Sequence, residues 1–376
     1  MKNSAIYIHV PFCKVKCIYC DFYSITNREN QIPLFTKLLL KEIRYYKDYK
    51  KNNWNFNTIF FGGGTPSILP AKDIEKILKE LDNTFDISNV REITLEANPG
   101  EASFEFLKDI KNIGVNRLSM GFQSFDNSLL KKLGRIHKSK DCFKTFDNAR
   151  KAGFDNINTD MIFNIPKLST KKWIEDLNKL ISLEPEHISA YSLTVEPSTQ
   201  LFNLVKNKKI LMPKEEIDIE QFLITKQILY ANNYFQYEIS NYSKRNKECY
   251  HNINYWKLNP YLSFGPSAHS YDTKKRWWNV KSLEKYLSLL DNCSLPIGGY
   301  EKLNDKDNYN ETILNGLRLN EGIKISKLKK IHGENFSNYI NTITSKWDCI
   351  DVNRGYIKLK KNGMLFVDDI SSDMFI

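Results

Sequence analysis

The first half of the chain alternates short β-branched runs with amphipathic helical stretches, and few folds accommodate that alternation. Strand candidates are Ala5 to Val10, Thr58 to Phe61, Glu92 to Ala97, Arg117 to Met120, Asn156 to Phe163 and His187 to Tyr191. Between them, helical spacing predicts Pro33 to Tyr49, Ala71 to Leu81, Ala102 to Ile113, Asp141 to Ala152 and Lys171 to Ser182. Leu39, Leu40, Ile43 and Tyr46 recur on one face of the first helix, and Ile74, Ile77, Leu78 and Leu81 on one face of the second. Gly114 and Gly153 follow two of these helices, where a left-handed C-terminal cap wants them. Six strands alternating with helices imply an α/β fold with a parallel sheet and right-handed crossovers. In such folds chemistry gathers at the C-terminal ends of the strands.

The unusual residues fall at that rim. After the first strand comes Cys13-Lys14-Val15-Lys16-Cys17-Ile18-Tyr19-Cys20, a Cys-x3-Cys-x2-Cys run with no fourth partner nearby. Structural zinc wants four protein ligands, usually as two pairs. The remaining cysteines, Cys142, Cys249, Cys293 and Cys349, are singletons. Three thiolates on a tight loop suit a cubane [4Fe-4S] cluster whose fourth iron stays open to a small molecule. His9, beside the loop, alternates with Tyr7 on the strand and is not required as a ligand. Seven cysteines without a secretion signal argue against disulfides.

Composition bounds the rest. Hydrophobic residues make up 41% and aromatic residues 13%, which fits a folded chain and excludes a disordered one. No apolar run reaches the length of a membrane span, and the apolar stretch at the start is too short for a signal peptide. The expectation is a cytoplasmic protein. The formal charge of +11 is spread over Lys-rich helices and loops without a basic stripe, so nucleic acid is not expected as a partner. Beyond about residue 205 the alternation stops. A helix from Glu215 to Ala231 leads into an aromatic-rich segment, Tyr234 to Tyr271. The last stretch reads as helices Tyr309 to Leu317, Lys324 to His332 and Asn335 to Ser345, then a strand pair within Ile350 to Val367, the order of a winged helix. The expected division is residues 1–233 as the core domain, 234–305 as an aromatic-rich connecting segment, and 306–376 as a C-terminal α+β, winged-helix-like domain.

Phe61-Gly62-Gly63-Gly64-Thr65-Pro66-Ser67 follows the second strand. Three glycines let backbone groups approach a ligand closely. The run lacks the Gly-Lys-Ser/Thr ending of a phosphate loop, and Pro66 removes an N–H that an anion cradle would use. Together with the cysteine loop it resembles the radical S-adenosylmethionine superfamily. The resemblance implies a partial (β/α)6, TIM-like barrel, a [4Fe-4S] cluster on Cys13, Cys17 and Cys20, and S-adenosylmethionine on the open iron. It narrows to the anaerobic coproporphyrinogen oxidase-like group through Tyr-Ile-His-Val-Pro-Phe-Cys, Leu-Glu-Ala-Asn-Pro-Gly, Ser-Met-Gly-Phe-Gln-Ser, Leu-Gly-Arg-Ile-His, Asn-Thr-Asp-Met-Ile-Phe and Glu196-Pro197. In that family the residues matching Tyr7, Gly63, Gly64, Thr65, Glu96, Gln123, Arg135 and Asp160 contact S-adenosylmethionine. Tyr19 and Phe22, on and just after the cysteine loop, join them as cofactor-binding candidates. Asn164 and Lys167 stand where the family usually has glycines, an expectation of an altered loop after the fifth strand.

Two subtypes divide the group. The decarboxylating oxidases carry a further cysteine two positions past the third, where this chain has Phe22, and a longer stretch before the cluster. Phe at that position is similar to the haem-chaperone subtype, as is His251-Asn252-Ile253-Asn254-Tyr255-Trp256. That resemblance implies haem as cargo, haem-accepting proteins and an electron donor as partners, and a cluster-dependent homodimer. His251 is the first candidate axial ligand, ahead of Cys249 and His269, with Tyr255 and Trp256 stacking on the porphyrin. The competing reading makes His251 a core histidine in an aromatic cluster. Two other functions stay open at this point: oxygen-independent coproporphyrinogen III oxidation, and a non-catalytic iron–sulfur scaffold.

Overall fold

A computed structural model describes residues 2–52 and 54–376. The first half runs β1 (Lys2–Val10), α1 (Ile32–Tyr45), β2 (Trp54–Gly63), α2 (Ala71–Thr84), β3 (Glu92–Ala97), α3 (Phe104–Asn112), β4 (Arg117–Gln123), α4 (Asn127–Lys132), α5 (Ser139–Lys151), β5 (Ile157–Phe163), α6 (Thr170–Ser182) and β6 (His187–Ser192). All six expected strands form, pair in parallel and stand in sequence order. Helix α3 starts two residues later than its hydrophobic pattern suggested, because Ser103 caps it by accepting the Phe106 N–H. Gly114 and Gly153 adopt the expected positive φ, 109° and 88°. The short α4, capped by Asp126, carries too few apolar residues to be seen as a periodic pattern.

Next come α7 (Gln200–Lys206), α8 (Glu215–Ala231), β7 (Phe235–Gln236), β8 (Asn241–Ser243), α9 (Tyr250–Trp256), β9 (Tyr261–Phe264), β10 (His269–Tyr271), β11 (Lys275–Asn279), α10 (Leu283–Asp291) and β12 (Ile297–Lys302). These strands are built into the main sheet. Its twelve strands run β12-β11-β10-β9-β1-β2-β3-β4-β5-β6-β8-β7, with β9 parallel to β1 and β8 antiparallel to β6. The aromatic-rich stretch therefore extends both sides of the half-barrel. One hydrophobic cluster, from Ile6 to Leu290, holds the two together.

The strands alternate in character. One face sends Ile59, Phe61, Leu95, Leu118 and Ile157 into the apolar layer beneath the helices. The other sends Thr58, Glu92, Arg117, Asn158 and His187, all buried, toward the barrel interior. Helix α9 packs against β1 and β2 and fills that interior from the N-terminal end of the strands. In the loop after β5, Asn164 and Lys167 hold φ of 58° and 75°, the left-handed backbone that glycine adopts most readily. Gln221 Oε1 accepts the Asn164 N–H at 2.8 Å, and the Asn164 side chain donates to Ser192.

The C-terminal unit comprises α11 (Asp305–Gly316), β13 (Ile323–Lys324), α12 (Ile325–His332), α13 (Phe336–Lys346), β14 (Ile350–Asn353), β15 (Tyr356–Leu359) and α14 (Val367–Met374). Four helices and a small sheet, ordered β13-β15-β14, surround a second cluster built on Tyr309, Leu328, Ile343, Ile357 and Ile370. This is the winged-helix-like arrangement. The expected strand pair ends at Leu359 instead of running to Val367. Val367, Ile370 and Met374 recur at helical spacing, and α14 buries them against α11.

Glu42, fully buried on α1, ties that helix to the far side of the sheet. It accepts the Gly265 N–H at 2.9 Å, the Tyr286 hydroxyl at 2.6 Å and the Asn279 amide at 2.5 Å. Burial nevertheless pushes its pKa up to about 7, outweighing the three donors. A carboxyl raised on folding binds its proton more tightly in the folded state. Its stabilising contribution is thus complete below the ordinary carboxylate range and is lost as pH rises through 7. Glu42→Gln is expected to flatten the fall in stability between about pH 4.5 and 7 by on the order of 3 kcal/mol. Denaturant unfolding at several pH values measures this, and an unchanged slope would remove Glu42 as its source.

Candidate functional site

The cysteine loop leaves β1 and is held from three sides. The β1–β2 ladder continues past both strands: Gly64 N–H donates to Val10 O at 2.7 Å, and Thr65 N–H to Phe12 O at 2.8 Å. Cys13 N–H donates to Ile25 O at 2.8 Å, and Ile18 N–H to Leu133 O at 3.3 Å. A Cβ on Gly64 would lie 2.6 Å from Phe12 O, and Gly63 has φ of 108° with its open side against the His9 ring. The glycine run is thus required first by the protein's own close approach. The three cysteines are free and half-buried. Thr65 Oγ1 donates to Cys13 Sγ at 3.5 Å and Arg135 Nη1 to Cys17 Sγ at 3.4 Å. Burial raises the thiol pKa values of Cys13 and Cys20, the latter to about 11. Among the described residues, no three His, Cys, Asp or Glu side chains are grouped so as to share one metal ion.

Around the loop runs a polar rim. Asn98, which the sequence reading passed over, is its hub. Its amide donates to Thr65 Oγ1 at 3.0 Å and Glu101 at 2.9 Å, and its carbonyl accepts from Arg135 Nη2 at 2.9 Å. Arg135 Nη2 also donates to Gly121 O. Arg135 Nε is buried without a partner. Gln123 ends β4 at φ 66°, where the β4–β5 register shifts. Glu96 ends β3 with its pKa pushed up to about 8 by burial and by Asp160. Asp160, on β5, accepts from Asn158 at 2.8 Å and from Ser119 at 3.2 Å. Burial raises its pKa as well. Rim and loop thus bring together Tyr7, Gly63, Gly64, Thr65, Glu96, Gln123, Arg135 and Asp160.

The floor is set by Glu92 and Arg117, both buried and both missed in the sequence. Glu92 accepts the Tyr250 N–H at 2.9 Å and the His251 N–H at 3.0 Å, so it fixes the first turn of α9. Cys249 Sγ points at the same carboxylate from 3.6 Å. Its thiol lies beneath the floor with its pKa pushed up to about 12 by burial. Arg117 Nε has no partner. His251 is 1% exposed and stacks on Phe60 at 4.9 Å. Its Nδ1 pairs with Thr58 Oγ1 and its Nε2 with the Tyr255 hydroxyl, each at 3.0 Å. Burial, then Arg117, push the imidazole pKa down to about 3, so the ring is neutral.

Between rim and floor lies a cavity of about 670 Å³. Tyr7, His9, Gly63 and Glu96 line it on the rim side, His251 and Tyr255 on the floor, and Tyr261, Tyr271 and Arg276 along the added strands. Its size is that of a small-molecule site. Phe22, 67% exposed, stands at its mouth. Trp256 lies outside it, with its indole N–H unpartnered and Arg318 of the C-terminal unit 5.9 Å above its ring. His269, on the cavity wall, stacks on Trp278. Tyr19 packs on the main core beside Arg135 and Cys17. A second crevice, about 610 Å³, lies by Ile181, Tyr234 and Lys244, and no candidate residue lines it.

A half-barrel of parallel strands with a three-thiol loop at its C-terminal rim defines a class, and the comparisons agree. Residues 7–180 match the family model of the radical SAM superfamily, and residues 303–366 that of the HemN C-terminal domain. The protein named heme chaperone HemW in Bacillus subtilis is 35% identical over 328 residues, 87% of this chain and 86% of that protein. Its namesake in Lactococcus lactis is 32% identical over 348 residues, 90% of each. The solved coproporphyrinogen III oxidase HemN of Escherichia coli shares the fold, with a TM-score of 0.85 at 21% identity, covering 100% of this chain and 90% of that one. The chain belongs to the HemW family of radical SAM proteins.

Removing Glu92 would orphan two N–H groups of α9 and take away one of the carboxylates that face Arg117. Glu92→Ala is expected to lower stability by roughly 3–5 kcal/mol, and Glu92→Gln by less. Urea unfolding checks this, and a loss below about 1 kcal/mol in the alanine variant would contradict the capping role.

Proposed function

We propose that this protein holds a [4Fe-4S] cluster on Cys13, Cys17 and Cys20, binds S-adenosylmethionine on the adjoining rim, takes haem into the cavity between rim and floor, and passes it to acceptor proteins. The observation that carries the reading is the shared wall. Tyr7, His9, Gly63 and Glu96 belong both to the rim beside the thiols and to a cavity whose floor is His251 and Tyr255. The relatives named heme chaperone HemW support the cargo.

The donor set fits the cluster. Three soft thiols on one short loop, with no fourth cysteine beside them, suit the irons of a cluster better than a closed zinc site. When bound, the cluster supplies an electron and an open iron for the amino-acid end of S-adenosylmethionine. Thr65 and Arg135 donate toward two of the sulfurs and offset thiolate charge. Asn98 holds both donors in place. Arg135 Nε, unpartnered and buried, keeps a further donor at this rim. At the mouth, Phe22 presents an exposed apolar ring where a fourth thiol would stand in the oxidases. Among the described residues no helix is long and apolar enough to cross a membrane. The setting we infer is cytoplasmic, with an electron donor for the cluster, a haem-accepting protein and a cluster-dependent homodimer as partners.

Anaerobic reconstitution tests this directly. The wild-type protein is expected to take up about four irons and four sulfides per chain, and Cys13→Ala, Cys17→Ala and Cys20→Ala to lose them. A Soret titration is expected to saturate at one haem per chain. Absence of haem uptake would refute the chaperone reading. Conversion of coproporphyrinogen III to protoporphyrinogen, with reductant and S-adenosylmethionine present, would move the assignment to the oxidase.

A further inference from the structure

His251 is the residue the sequence points to as a haem ligand, yet the structure leaves it no free nitrogen. Nδ1 is engaged by Thr58 and Nε2 by Tyr255, one ring face lies on Phe60, and the backbone N–H is tied to Glu92. Only 1% of the residue is exposed. To reach into the cavity it would have to surrender several of these contacts. Tyr255, one helical turn on, is partly exposed to the same cavity. Its ring is braced edge-on by Tyr261 at 4.6 Å and by His251 at 4.8 Å.

Thr58 Oγ1 accepts from Asn254 Nδ2 at 3.2 Å and pairs with His251 Nδ1, while His251 Nε2 pairs with the Tyr255 hydroxyl. The neutral imidazole, fixed on both nitrogens, thus fixes where the phenol oxygen lies. A cation that meets this oxygen favours its phenolate form.

We infer that Tyr255 Oη, rather than a nitrogen of His251, is the atom of this floor that coordinates the iron of bound ferric haem, with His251 holding the phenol in position. The inference rests on the haem reading above. In the step, an Fe(III)–O bond to Tyr255 replaces the bond from the iron to a solvent-derived hydroxide, the phenol O–H bond breaks, and its proton leaves with that hydroxide as water; no electron is transferred. Burial keeps Tyr255 protonated while no cation is near, and the ferric charge offsets that penalty. Phenolate is a hard oxygen donor, so ferric haem is held in preference to ferrous.

The test is ferric and ferrous haem titration of the wild-type protein, Tyr255→Phe and His251→Ala, with resonance Raman spectra of each ferric complex. The wild type is expected to show phenolate–iron charge-transfer absorption and phenolate modes. Tyr255→Phe is expected to lose both and to bind ferric haem at least roughly tenfold more weakly. His251→Ala is expected to keep the phenolate modes with an affinity lowered by roughly tenfold. A wild-type spectrum of histidine-ligated type, unchanged in Tyr255→Phe and lost in His251→Ala, would overturn the inference while leaving haem binding intact. Failure of the wild type to bind haem at all would overturn both. Should Tyr255→Phe fail to fold, the wild-type Raman spectrum decides alone.

Discussion

Two hydrogen bonds that prolong a ladder beyond its strands anchor everything at the rim. Gly64 N–H to Val10 O and Thr65 N–H to Phe12 O lock the exit of β1 to the exit of β2, so the cysteine loop and the glycine run move as one piece. The lock needs a backbone without Cβ at Gly64, because Phe12 O and Val10 O occupy that space. From Thr65 the constraint passes to Asn98 and from there to Arg135, which returns to Cys17. A single circuit of side chains therefore ties the loop to the exits of three further strands. Such a circuit preorganises two of the thiols, Cys13 and Cys17, which would otherwise repel as thiolates.

The interior obeys a different rule from the layer under the helices. A parallel strand buried on both faces ordinarily reads as continuous apolar sequence. Here β3 carries Glu92, Thr94 and Glu96, and β4 carries Arg117 and Ser119, at every second position. Those alternating polar groups all face inward and none is exposed. Unpaired, each buried charge would destabilise the fold by several kcal/mol. The chain compensates by filling the barrel with a helix whose own N–H groups satisfy Glu92. The plug and the polar interior are therefore one device: α9 neutralises the floor, and the floor aims α9.

Much of this was legible in the sequence and some was not. Local patterns placed the six strands, most of the helices and the rim, because strand ends in a parallel sheet share one edge. The alternation in Glu92-Ile-Thr-Leu-Glu96 was present too, and read as period two it marks a polar interior. The same period also fits an ordinary half-buried strand, which hides the polar interior. Asn98 was equally visible, two residues past Glu96 and before Pro-Gly. The pairing of β9 with β1 was not legible, since nothing local says that residues 261–264 return to the first strand. Helix α14 was lost to a similar ambiguity, its apolar residues following directly on those of a hairpin.

The return of β9 to β1 decides what kind of site this is. A half-barrel that ended at β1 would open its rim sideways to water. By adding β9, β10, β11 and β12 the chain raises a second wall, and Tyr261, Tyr271 and Arg276 on it face Tyr7, His9 and Glu96 across one cavity. Tyr7 is hydrogen-bonded to His9, and His9 to Tyr23 O behind it, so this partition is braced from both ends. Whatever occupies the cavity lies against the same two side chains that border the cysteine rim. The sequence motif at 251–256 divides across that geometry: His251 and Tyr255 face the cavity, while Trp256 faces the C-terminal unit through Arg318. One short helix thereby joins the cavity floor to the winged-helix-like unit.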